Sequence, residues 1–109
     1  MSTMRRITTK AEFKRELEEA GDQLIAIGFT ADWCTKNDDV ARRLHTAMSQ
    51  PEFTDVIFLQ VDVDENEDTA PFCQVDFLPT VQFYRYKQKV SEIHEDSLDN
   101  LTAMLRLHR

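Results

Sequence analysis

The sequence predicts an α/β domain: a central mixed β-sheet flanked by helices on both faces, with elements in the order β-α-β-α-β-α-β-β-α. Three observations carry this. Two runs, Leu24-Ile25-Ala26-Ile27-Gly28-Phe29 and Val56-Ile57-Phe58-Leu59-Gln60-Val61, have strand length and are apolar on both faces, as central strands covered from both sides must be. Segments with helical apolar spacing alternate with them, the pattern of a sheet wound by helices. Towards the C-terminus two further strand-like runs stand two residues apart, which makes them an antiparallel hairpin.

In chain order, residues 4–7 form a first edge strand. Residues 10–20 are a helix with Phe13, Leu17 and Ala20 on one face and charges between them. Thr9 is its N-cap and Gly21 its stop. The first central strand follows, then a helix over residues 34–49 with Val40, Leu44, Ala47 and Met48 inward, closed by Gln50-Pro51. After the second central strand, Asp64 opens a short helix over residues 64–74, with Glu67 completing a capping box. Residues 81–86 and 89–93 are the hairpin strands, joined at Lys87-Gln88. Tyr84 and Tyr86 should then share a strand face, and Phe29, Phe58 and Phe83 should be core. Ser97 begins the last helix, with Leu98, Leu101 and Leu105 inward.

The 109 residues suffice for one domain, 1–109, with a single core. Hydrophobic residues at 41% and charged residues at 30% give a globular rather than a disordered balance. The net charge of -7 argues against nucleic acid and anionic membranes as partners, since both require a basic stripe. The basic residues gather only as Arg5-Arg6, Arg42-Arg43 and a few between 85 and 89. The first residues lack the apolar core of a secretory signal, and no apolar run is long enough to cross a bilayer. Two cysteines, Cys34 and Cys73, do not make a disulfide framework. The expected location is a reducing compartment: cytoplasmic, with the nucleus possible.

The acidic run Asp62, Asp64, Glu65, Glu67 and Asp68 lacks the turn glycine of a calcium loop and reads as a solvated strand end with a helix cap. His45, His94 and His108 have no metal-ligand spacing. No phosphate loop, Ser-His-Asp order or zinc knuckle is present. Neither a metal nor a cofactor is expected.

The segments Ala11-Glu12-Phe13, Ala20-Gly21-Asp22, Phe29-Thr30-Ala31-Asp32-Trp33-Cys34, Val61-Asp62-Val63-Asp64, Leu78-Pro79-Thr80 and Gln82-Phe83 occur in the order and at the spacing of the thioredoxin family. The chain resembles that family over nearly its whole length. The resemblance implies the thioredoxin fold, with Cys34 as a nucleophile at the start of the second helix. There unpaired backbone N–H groups and the positive helix pole favour a thiolate. Lys36 adds positive charge, opposed by Asp32, Asp38 and Asp39. It also implies a cis Leu78-Pro79 bond facing the sulfur. Trp33, Leu78, Pro79 and Thr80 would position an extended partner by strand addition.

Three departures from the family pattern bear on function. Asn37 stands where the family carries its second, resolving cysteine; an amide can donate a hydrogen bond to a thiolate but cannot attack a mixed disulfide. Gly28 stands where the family carries a buried aspartate that accepts that cysteine's proton. Glu95 replaces a glycine bordering the substrate groove, narrowing it and adding charge, and Lys87 replaces a turn glycine. The implied function is weak monothiol thiol–disulfide exchange through Cys34 on a protein disulfide, with an external thiol such as glutathione completing the cycle. The alternatives are a non-catalytic protein-binding module using the Trp33/Leu78-Pro79 groove and a structural subunit. The chain would be a monomer or a weak dimer through that groove face. Cys73 is either a remote resolving or regulatory thiol or a small buried residue. The need for Cα atoms within about 7 Å favours burial, because the two cysteines fall on separate helices in this fold.

Overall fold

The computed structural model describes residues 4–34 and 37–109, the side chain of Asn37 excepted. The elements are β1 (Arg5–Arg6), α1 (Lys10–Glu19), β2 (Ile25–Thr30), α2 (Asn37–Met48), a 3-10 turn (Pro51–Phe53), β3 (Ile57–Asp62), α3 (Thr69–Phe72), β4 (Thr80–Arg85), β5 (Gln88–His94), a 3-10 segment (Glu95–Asn100) and α4 (Leu101–His108). They build one five-stranded sheet in the order β1-β3-β2-β4-β5. β1, β3 and β2 run parallel, and β4 and β5 are antiparallel to their neighbours. This is the mixed sheet that the apolar runs and the hairpin predict.

β2 lies in the middle because every one of its residues is buried, so no position tolerates solvent. Its side chains alternate between two core layers. Ala26 joins Phe58, Val81 and Phe83 beneath Val40, Leu44 and Ala47 of α2 and Leu101 and Leu105 of α4. Ile25, Ile27 and Phe29 join Leu59, Val61 and Tyr84 beneath Phe13 of α1 and Ala70 of α3. Each large side chain so buried contributes roughly 1.5–3 kcal/mol. By this alternation Gly28 faces α2.

Thr9 caps α1 as its residue type predicts: its hydroxyl accepts from the Glu12 amide at 3.1 Å. Gly21 follows with φ of 60°, the left-handed conformation that ends a helix cheaply. Glu16 is a buried carboxylate of α1 that spacing alone gives no reason to expect. Arg5 reaches it at 2.6 Å and ties the edge strand to the helix.

The structure corrects four expectations. The helix expected over residues 64–74 shrinks to α3, and no Asp64–Glu67 capping box forms. Asp62 instead accepts from the Asp64 amide at 2.9 Å. Asn66 accepts from the Thr69 amide and hydroxyl while donating to the Ile7 carbonyl at 3.1 Å. These local bonds hold residues 62–68 in turns, and Gln74 at φ of 58° closes the far end. Second, the hairpin turns at Tyr86-Lys87, with φ of 52° and 67°, because Arg85 pairs with Gln88. A bulge shifts the register between Phe83 and Tyr84, and Tyr86, in the turn beyond β4, does not share a strand face with Tyr84. Tyr84 is buried at 5.4 Å from Phe13, whereas Tyr86 is exposed. Third, the last helix breaks at Ser97 (φ of -123°) and becomes α-helical only from Leu101. Fourth, Cys34 itself lies outside α2, whose described residues run Asn37–Met48.

Candidate functional site

The chain leaves β2 through buried Ala31 into a tight turn in which the Cys34 amide donates to the Ala31 carbonyl at 3.0 Å. That turn leaves Cys34 partly exposed and Trp33 68% exposed. Cys34 is a free thiol, three positions before the first described residue of α2. The sequence-predicted Lys36 and the Asn37 side chain lie outside the described residues. The first turn of α2 carries Asp38 and Asp39. Burial raises the Asp39 carboxyl, but Arg43 and Arg42 more than offset this and hold it below its ordinary range. Arg43 also reaches Asp99 at 2.9 Å.

Across from this turn the Leu78-Pro79 bond is cis. Pro79 is buried, Leu78 partly buried and Phe77 67% exposed. Thr80 is only 1% exposed and its hydroxyl donates to the Phe77 carbonyl at 2.6 Å. Its side chain thus fastens the loop from beneath. The Phe77-Leu78 segment separates two clefts. One, of about 430 Å³, is walled by Trp33, Val63, Ala70, Val75, Asp76, Phe77 and Leu78. The other, of about 660 Å³, lies between this loop, α2 and the end of β5, and Glu95 lines it as the sequence predicts. Trp33, Leu78 and Pro79 therefore gather at one surface with Glu95 on its far border.

Phe77 and Asp76 are cleft residues that sequence reasoning missed. The available signal was an aromatic residue in a loop directly before Leu78-Pro79. His94 also lines the larger cleft, but its imidazole pairs with Glu92 at 2.8 Å and packs edge-on to Phe77 at 5.7 Å, not with Glu95.

Gly28 lies in the central strand, facing α2. A Cβ placed there would stand 2.7 Å from Leu44 Cδ1 and 3.5 Å from Val40 Cγ1. The volume a side chain would need is occupied by a core leucine of α2, itself 1% exposed. A buried acid at this sheet position would require Leu44 to shift.

Cys73 is the other free thiol, buried against the α1/α3 layer. Burial pushes its thiol up, against smaller opposing effects of Tyr84 and Lys89. Burial likewise drives the Tyr84 hydroxyl up. That hydroxyl donates to Gln82 at 2.7 Å, while the Gln82 amide donates to the Cys73 carbonyl and to Glu92. Such a satisfied buried network is structural in character, and fits the small buried residue expected. Two members of the acidic run are engaged: Arg6 pairs with Asp62 at 3.3 Å and with Glu65 at 2.9 Å. Among the described residues no group of three His, Cys, Asp or Glu could hold a metal ion, and no helix is long and apolar enough to cross a membrane.

The family model named Thioredoxin matches residues 5–106. The chain is 42% identical over 86 residues to a thioredoxin of Geodia cydonium, covering 79% of each chain. It is 34% identical over 102 residues to the Homo sapiens thioredoxin, covering 94% of this chain and 95% of that one. Among solved structures, Fasciola hepatica thioredoxin superposes with a TM-score of 0.90 at 27% identity, over 97% of this chain and all of that one. Malassezia sympodialis thioredoxin gives 0.89 at 25% identity, over 99% and 92%.

Proposed function

The chain belongs to the thioredoxin family, and from that premise we propose that it performs monothiol thiol–disulfide exchange through Cys34. The Cys34 thiolate attacks one sulfur of a partner's disulfide. A new S–S bond forms, the partner's S–S bond breaks, and the second sulfur leaves as a thiolate. Position 37 is asparagine, so no adjacent thiol displaces the captured partner. One external thiol, glutathione by chemical class, attacks the Cys34 sulfur and releases the partner as a thiolate; a second glutathione attacks the resulting Cys34–glutathione disulfide, so Cys34 leaves as a thiolate and glutathione disulfide is the oxidised product. In this scheme the Asn37 amide donates to the thiolate and Lys36 supplies positive charge. Trp33, Leu78, Pro79 and Glu95 contact the partner, and Thr80 holds the loop.

The observation that carries this reading is a partly exposed free thiol next to exposed Trp33, which shares a cleft with Leu78 of the cis-proline loop, above a sheet position where glycine supplies no proton acceptor and Leu44 crowds any added side chain. A dithiol cycle needs such an acceptor for its second cysteine; a monothiol cycle does not. The expected compartment is reducing, the cytoplasm or nucleus, where glutathione is supplied. Reduction of a protein disulfide such as insulin by dithiothreitol or glutathione, with wild type against Cys34→Ser, tests the proposal. Wild type should accelerate it and the variant should not; equal rates remove the enzymatic reading.

A second reading, a binding module that uses the groove without the sulfur, is favoured by the exposure of Trp33 and Phe77 at 68% and 67%. Capture of the same partner by the Cys34→Ala variant would support it.

A further inference from the structure

The exchange reaction leaves open which disulfides reach Cys34, and the surface beside it carries information on that choice. The cleft walled by Trp33, Val75 and Leu78 is apolar over most of its lining. Its neighbour across the Phe77-Leu78 segment has four carboxylates in its lining, Asp39, Glu95, Asp96 and Asp99, against the single guanidinium of Arg43. That guanidinium is already engaged, 3.3 Å from Asp39 and 2.9 Å from Asp99. His94 is committed to Glu92. The side chains of Glu95 and Asp96 are exposed and meet no cation among the described residues.

A solvated acidic face needs no ligand. This one borders a groove whose other end presents two aromatic rings to solvent, so the same bound segment would meet both. Exposed charges of one sign beside an apolar cleft raise the encounter rate of oppositely charged partners and repel like-charged ones. Charge complementarity therefore fixes the kind of occupant.

We propose that the groove selects protein segments whose disulfide-bonded cysteine has an apolar residue on one side and lysine or arginine on the other. The apolar side chain enters the Trp33/Leu78 cleft and the cation faces Glu95 and Asp96, while the sulfur meets Cys34. This deepens the exchange reading above and rests on it.

The test uses two peptides, identical but for lysine or glutamate beside the cysteine, each disulfide-bonded to a chromophoric arylthiol. Release of the arylthiol reports attack by Cys34. The lysine peptide should react about tenfold faster at low ionic strength, with the ratio collapsing as salt shortens the screening length. The Glu95→Gln/Asp96→Asn double variant should bring the ratio to within about twofold for the same electrostatic reason. Equal rates for both peptides with wild type overturn the selectivity and leave exchange standing. No release from either peptide overturns exchange. The reduced peptides are then titrated against Cys34→Ser, with Trp33, the one tryptophan of the chain, as fluorophore. Tighter binding of the lysine peptide upholds the groove assignment, and equal binding overturns it.

Discussion

Replacing Gly28 by alanine adds one carbon to the middle of the central strand, where it meets Leu44 Cδ1 at 2.7 Å. Leu44 cannot turn away freely, since it is 1% exposed and packed among Val40, Ala47, Phe83 and Leu105. Overpacking a filled core costs about 1–3 kcal/mol. Loss of glycine's unfolded-state freedom returns about 0.4–1 kcal/mol. The net expectation is a destabilisation of roughly 1–2 kcal/mol, or about 4–16 °C in Tm for a domain of this size. Gly28→Asp should cost more, roughly a further 2 kcal/mol, because its carboxyl would be buried without a partner. Leu44→Val shortens the opposing side chain. Combined with Gly28→Ala it should therefore be more stable than the sum of the single changes, by about 0.5–2 kcal/mol of coupling. Urea unfolding of the four proteins measures this directly. If Gly28→Ala matches wild type, or the two changes simply add, Leu44 does not occupy the space and the crowding argument fails.

Three further expectations follow from the same geometry. Asn37→Cys should form an internal disulfide with Cys34 on oxidation, seen as loss of two alkylatable thiols by mass spectrometry, yet its reductase activity should stay low because Gly28 offers no proton acceptor; full activity would contradict this. Native protein should take up iodoacetamide at Cys34 and not at Cys73, whose thiol is buried and pushed up, whereas urea-unfolded protein should label at both; native labelling of Cys73 would contradict the assigned burial. Burial opposes the Glu92 carboxylate, but Gln82, His94 and Lys89 outweigh it and hold it low. A depressed folded value gives stabilisation that is present above the unfolded value, about 4.3, and lost as pH falls through the folded one. Glu92→Gln should therefore flatten the acid limb of stability below about pH 5, and parallel curves for the two proteins would contradict it.

The parts of the fold that could be read in advance are those set by local apolar pattern. Two runs apolar on both faces became β2 and β3, and a short break between strand-like runs became the hairpin. What escaped was set by contacts distant in sequence. Asn66 bonds to Ile7 across 59 positions, and no local rule predicts that this would shorten α3. Glu16 is buried because Arg5 of the edge strand covers it. The turn fell one residue earlier than its local pattern indicated, and this took Tyr86 out of the strand that holds Tyr84. At the site, it was the family resemblance, not any local pattern, that implied a shared groove for Trp33, Leu78, Pro79 and Glu95; they line two neighbouring clefts. Thr80 was placed in the right loop but on its inner side, a matter of side-chain direction. That the Gly28 position is crowded by Leu44 requires the helix-to-sheet distance and is invisible in sequence.

The central claim is a lone sulfur that captures a disulfide partner and cannot free it unaided. Intact-protein mass spectrometry after brief exposure to glutathione disulfide, followed by its removal, tests this most directly. The account predicts one glutathione adduct on Cys34, stable over hours and cleared within minutes by added dithiothreitol. Absence of the adduct, or its spontaneous loss with formation of a Cys34–Cys73 disulfide, would contradict it.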